Sequence, residues 1–103
     1  MSEGNELLNE LGRSGIRVLS GSAAWDVGSI ADGNEAVTTI TVSGARMGDF
    51  VLVSSSLDVV DLTLVGQVTA PHTVTVQFGN WTGGALDVTT PTIYVMVLSN
   101  PLI

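Results

Sequence analysis

From Ile16 onward the chain is a succession of short runs rich in Val, Ile, Thr and Leu, each cut off by Gly, Asn, Asp or Pro. β-Branched side chains are stiff at χ1 and suit a pleated backbone, whereas the breakers supply turn geometry. Candidate strands fall at Ile16–Leu19, Ala24–Ile30, Val37–Val42, Phe50–Ser55, Leu62–Val68, Thr73–Phe78, Leu86–Val88 and Thr92–Leu98. Between them lie Asp32-Gly33-Asn34, Gly44, Gly48-Asp49, Ala70-Pro71-His72 and Thr82-Gly83-Gly84. No helical pattern separates one strand from the next, which excludes a parallel sheet built from βαβ units. The pattern predicts an all-β fold, an antiparallel β-sandwich or jelly roll of about eight short strands.

Alternation within the strands says which faces are wet. Thr73 to Phe78 places Val74, Val76 and Phe78 on one side and Thr73, Thr75 and Gln77 on the other, and Ile40 and Val42 alternate with Thr39 and Thr41. Two strands do not alternate: Phe50-Val51-Leu52-Val53 and Ile93-Tyr94-Val95-Met96-Val97-Leu98 are apolar on both faces. One face of each meets the core and the other needs further cover from a loop, the N-terminal segment or another subunit. A small sandwich has few spare elements, so subunit contact is expected, and Val51, Val53, Tyr94, Met96 and Leu98 are candidate interface residues.

Residues 1–15 read as an N-terminal arm and 16–103 as the sandwich domain. In the arm, Leu7, Leu8 and Leu11 share one side at helical spacing, with Glu3, Glu6 and Glu10 on the other and Gly12 as a stop. Two turns of helix are marginal alone. The segment is either a frayed terminus or an arm whose leucines dock on a neighbouring chain. It is acidic and lacks an apolar run, so no secretory signal is expected.

A chain of 103 residues hides about two thirds of its extended surface on folding, enough for one core. Ten acidic residues stand against Arg13, Arg17 and Arg46, with no lysine, giving a net charge of −7. Phosphate neutralisation has almost nothing to work with, so nucleic acid is a poor partner, and an anionic membrane surface would repel the chain. With no cysteine, disulfides and thiolate metal sites are excluded, and oligomerisation is the remaining source of added stability. Mean hydropathy is +0.45 although only 13% of residues are charged, leaving Ser, Thr, Gly and Asn to form the polar surface.

The residues that carry chemistry are sparse. His72 is the only histidine, set in a turn with neither a Gly-x-Ser-x-Gly elbow nor a cysteine to serve, and it reads as a turn residue. Asp58 with Asp61, and Asp32 with Glu35, are local carboxylate clusters, but neither has the spacing of a calcium loop. As paired glycosidase acids, Asp58 and Asp61 would need an aromatic-lined cleft, and the chain has five aromatic residues in all. Asn80-Trp81-Thr82 matches a glycosylation sequon without a secretory signal to give it meaning. Trp81 is open to two readings, a contact for a sugar or protein partner and a cap on the open end of the sandwich. Arg46 joins two apolar strands through Gly44-Ala45-Arg46-Met47-Gly48-Asp49, and an ion pair is expected of it, within the chain or across an interface, with the interface favoured. No catalytic residue, metal ligand or cofactor is assigned.

The segment Val42-Ser43-Gly44-Ala45-Arg46-Met47-Gly48-Asp49-Phe50-Val51, then Leu62-Thr63-Leu64, then Thr73 through Gly84 with its Asn80-Trp81-Thr82-Gly83-Gly84, resembles a small β-sandwich module of tailed-bacteriophage virion proteins. The resemblance covers roughly Val37 to Leu98 and rests on turn-and-strand signatures. It implies a structural virion protein rather than an enzyme: a trimeric jelly-roll decoration or cement protein, made in the host cytoplasm and bound to the major capsid protein on the capsid exterior. The alternative is a carbohydrate- or receptor-binding module of a head or tail fibre, with Trp81 as its contact.

Overall fold

A computed structural model describes residues 16–59 and 61–103, so the arm expected at residues 1–15, with Leu7, Leu8 and Leu11, lies outside the described residues. Eight strands follow in order: β1 (Val18–Ala24), β2 (Ser29–Ile30), β3 (Glu35–Thr41), β4 (Phe50–Ser55), β5 (Thr63–Ala70), β6 (Thr73–Gly79), β7 (Leu86–Asp87) and β8 (Thr92–Leu98). They form two three-stranded antiparallel sheets, β1-β8-β4 (sheet A) and β3-β6-β5 (sheet C), and between them in chain order a two-stranded ribbon, β2-β7 (sheet B). The fold is all-β and sandwich-like, as the punctuation predicts. The pairs β1-β8, β2-β7 and β3-β6 nest like one rolled ribbon, but β4 and β5 join opposite sheets and do not pair with each other, so the eight strands do not divide into two sheets of four.

Strands β4 and β8 fall where the sequence places them, whereas β1 and β2 do not. Ser20-Gly21-Ser22-Ala23-Ala24 has weak strand preference, yet every residue from Val18 to Ala24 pairs in register with β8, and that pairing overrides local propensity. The expected strand at Ala24–Ile30 shrinks to Ser29–Ile30 because Gly28 takes a φ of 72°, which breaks the extended run.

The two sheets meet through a dry layer of Val, Ile and Phe. Ile93, Val95 and Val97 of β8 and Val74, Val76 and Phe78 of β6 are buried, and Ile40, Val42 and Val68 complete the layer. Each such side chain contributes roughly 1.5–3 kcal/mol when fully buried. Trp25 closes one part of the core by stacking on Phe78, centroids 5.3 Å apart. Two glycines set the approach of the layers. A Cβ on Gly21 would lie 2.9 Å from the Thr41 carbonyl oxygen, and one on Gly66 would run into Val53 and lie 3.0 Å from Val51 Cγ1. Thus β1 sits over β3 and β4 over β5, with β8 over β6 in the middle.

Val51 and Val53 are therefore corrected from interface residues to inner-face residues: they are half-buried and pack on the core across from Gly66. Their strand exposes Phe50 and Leu52 instead, because pairing with β8 puts Leu52 beside Met96 and Val53 beside Val95.

Gly66→Ala is expected to destabilise the fold by about 1–3 kcal/mol through overpacking, whereas Gly84→Ala, where no atom lies within 4 Å of the new methyl, leaves stability unchanged. Urea unfolding midpoints of the two variants against the parent check this.

Candidate functional site

Three constructions stand out, two on the outer faces of the sheets and one in the connections that hold their ends together. On sheet A the register lines up Val18, Leu98 and Phe50 in one row, Ser20, Met96 and Leu52 in the next, and Ser22, Tyr94 and Ser54 in the third. Phe50, Leu52, Tyr94 and Met96 are 53%, 59%, 49% and 43% exposed. The small side chains of Ser20 and Ser22 beside the larger Tyr94, Met96 and Leu52 leave a shallow groove of about 410 Å³. None of the residues lining it is charged. A neutral, apolar, shape-bearing face of this kind suits contact with another surface.

Tyr94 and Met96 lie on this face, as the sequence anticipates, and Leu98 shares it at half burial. Phe50 and Leu52 were missed. No sequence signal singles them out, because both phases of Phe50-Val51-Leu52-Val53 are apolar; the register with β8 puts Phe50 and Leu52 on the side of Leu98 and Met96.

The second construction surrounds Trp81. Asn80 is fully buried at the end of β6, and its side chain is saturated. Its Nδ2 donates to the carbonyls of Ile30 (2.7 Å) and Gly84 (2.8 Å), while its Oδ1 accepts from the backbone N–H (3.0 Å) and hydroxyl (2.7 Å) of Thr82. An amide has two N–H donors and two acceptor positions, so nothing of it is left over. The sequon is thus a structural device: glycosyl transfer needs the Nδ2 that here ties two loops. The Asp32-Gly33-Asn34 turn grips the same loop, with Gly33 at φ 78° donating to the Asn80 carbonyl and the Asp32 carboxylate accepting from the Gly83 N–H. Trp81 itself is 64% exposed, with its Nε1 edge toward Gly79.

The third construction joins the opposite ends of the strands. His72, at φ 64°, donates its backbone N–H to the Ala45 carbonyl, accepts at its carbonyl from the Val42 N–H, and accepts at Nδ1 from the Gly44 N–H at 2.8 Å. It clamps the β5–β6 turn onto the connection after β3. Asp49, buried, does the same for the chain end: its carboxylate accepts from the N–H groups of Arg46 (2.9 Å) and Asn100 (2.9 Å). The Arg46 guanidinium lies 3.6 Å from that carboxylate and 3.4 Å from the Asn100 carbonyl. Its ion pair here is within the chain, one of the two partners expected of it, because the turn at residues 46–49 brings Asp49 within reach. Burial raises the Asp49 carboxyl, but the N–H donors of Asn100 and Arg46 and the Arg46 charge outweigh it and hold the group below the ordinary carboxylate value.

Asp61 occupies a turn at φ 70°, and among the described residues no three His, Cys, Asp or Glu side chains gather where they could hold a metal ion. A comparison with protein-family models found no match, and a comparison with curated proteins found none.

Two outcomes are expected of the connections. Asn80→Ala removes the four hydrogen bonds that tie Ile30, Gly84 and Thr82 together, leaving the Ile30 carbonyl and the Thr82 N–H without this side-chain partner, and costs about 1–3 kcal/mol, read by thermal and urea unfolding. For Asp49, a carboxyl lowered by folding contributes stability above its unfolded value near about 4, and that contribution is lost as pH falls through the lowered value. Unfolding free energy measured from pH 7 to pH 2 therefore declines on the acid side, and Asp49→Asn lowers it at pH 7 while making the acid decline shallower.

Proposed function

We infer that the chain is a structural subunit that acts by assembling, without catalysis, and that the outer face of sheet A is where copies of it meet. The observation that carries this reading is the uncharged row of Phe50, Leu52, Tyr94 and Met96 on the solvent side of a sheet whose other side already serves the core. Covering such side chains against a second apolar surface is favourable by about 25 cal/mol per Å². Cyclic closure through one repeated contact gives a finite assembly.

The resemblance of residues 42–51 and 73–84 to phage virion modules supplies the particular form: a trimeric capsid decoration protein on the exterior of a tailed-phage head, in contact with the major capsid protein. Flat, self-complementary surfaces are what a cement role requires, since added contact area across capsomer junctions resists internal pressure. Sheets of Val, Thr and Ser, tied at both ends by saturated connections, present such surfaces with little ordering entropy left to lose.

Size exclusion with light scattering is expected to give about three times the 10.6 kDa of one chain. Leu52→Glu combined with Met96→Glu yields a folded monomer with the circular dichroism of the parent and abolishes co-sedimentation with phage heads. A parent protein that is monomeric at 100 µM, on the order of the concentrations at which weak assemblies form, removes the assembly reading. An assembling parent that ignores phage heads removes the capsid reading alone.

A further inference from the structure

We propose that the outer face of sheet C, ending at Trp81, is a binding site for a neutral glycan. This face is opposite to the one assigned to assembly, and the inference does not depend on that reading.

The placement of the indole is built into β6. Phe78 points into the core, so Gly79 faces outward, and a Cβ there would lie 3.0 Å from Trp81 Nε1 and 2.7 Å from Thr63 Oγ1. Without that Cβ the Nε1 edge of the ring settles on the sheet, while the ring as a whole stays 64% exposed. The residues on either side of Trp81 are held by the Asn80 and Thr82 hydrogen bonds, so the aromatic platform is positioned before any ligand arrives.

Gln77 and Thr75 continue along β6 from Gly79 on the same face, about 7 and 13 Å away at a strand rise of 3.3 Å. They border a groove of about 190 Å³ whose other wall includes Gln67 and Thr69 of β5. Gln77 Nε2 donates to the Glu35 carboxylate at 2.6 Å, and the Thr69 and Thr75 hydroxyls are 2.6 Å apart. These bonds fix the orientation of the amide and hydroxyls. A sugar chain offers C–H faces that pack on an indole and rows of hydroxyls that both donate and accept. The face running from Trp81 past Gln77, with Val37 and Val65 on either side of it, to Thr75 offers both kinds of group.

Charge narrows the class. Glu35 and Asp32 flank this end of the sandwich, whereas Arg17 and Arg46 bond to Gly44 and Asn100 beyond the far end of β3. Phosphorylated, sulfated and sialylated chains meet negative potential here, as does nucleic acid; a neutral sugar hydroxyl meets an acceptor.

The test is an array of neutral oligosaccharides of glucose, galactose, mannose and N-acetylglucosamine beside sialylated and sulfated ones, probed with the full chain and followed by calorimetry on the best neutral ligand. Binding of a neutral glycan, weakened about tenfold or more by Trp81→Ala and about fivefold by Gln77→Ala, with partial retention in Trp81→Phe, supports the site. Unchanged thermal unfolding of the variants shows that the loss is not a folding defect, and the Leu52→Glu, Met96→Glu pair keeps glycan affinity per chain. No neutral ligand at millimolar concentration, preference for the acidic glycans, or affinity indifferent to Trp81 overturns it.

Discussion

Strand β8 is central in its sheet and apolar on both sides, and the rest of the molecule is arranged around that fact. Its inward Ile93, Val95 and Val97 are buried against β6, which fixes the spacing of the two layers. Its outward Tyr94 and Met96 have no layer of the described chain above them. Because side chains alternate with a period of two, the strand cannot hide both sets in one sandwich, and β1 and β4 inherit its register residue by residue. The exposed apolar rows of sheet A are thus the consequence of a core strand that carries large side chains on its back.

Such a thin sandwich must be secured at its ends, since glycines rather than side chains set the closest approaches of its sheets. Three polar side chains do this, each joining segments far apart in sequence. Asn80 reaches Ile30 across fifty residues, His72 holds the connection at 42–45, and Asp49 holds Asn100. Each of the three bonds backbone groups at strand ends or in the connections beyond them, and Asn80 and Asp49 add a side-chain partner, the Thr82 hydroxyl and the Arg46 guanidinium. That explains why residues with catalytic reputations serve the fold here: a buried carboxylate, a histidine and an asparagine in a sequon are each occupied by N–H or C=O groups of their own chain.

Strand number, the Asp32-Gly33-Asn34 turn and the inward set of β6 were legible in the sequence, because each rests on a local period or a local backbone need. What was not legible depends on partners. β1 is a strand only because β8 lies beside it, and nothing in Ser-Gly-Ser-Ala-Ala announces that. In Phe50 to Val53 both phases of the alternation are apolar, so the hydrophobic pattern is silent about which pair faces inward; register with β8 decides, and it turned Val51 and Val53 into the core and Phe50 and Leu52 out. The pair of Arg46 with Asp49 is local, but which acid the arginine meets depends on how the turn at residues 46–49 folds, which residue spacing alone leaves open.

The two outer faces then differ in a way that composition alone could not express. Sheet C turns threonines and glutamines outward with Val37 and Val65 exposed among them and acidic groups at the Trp81 end, while sheet A shows an uncharged face of larger apolar side chains. A net charge of −7 opposes random association through repulsion that falls off within about 10 Å at moderate salt. If copies of the chain meet on this face as proposed, a contact must bury Phe50, Leu52, Tyr94 and Met96 together to outweigh that repulsion. In that reading acidity and apolarity are complementary: charge disfavours a poorly fitting contact, and apolar area favours a fitting one.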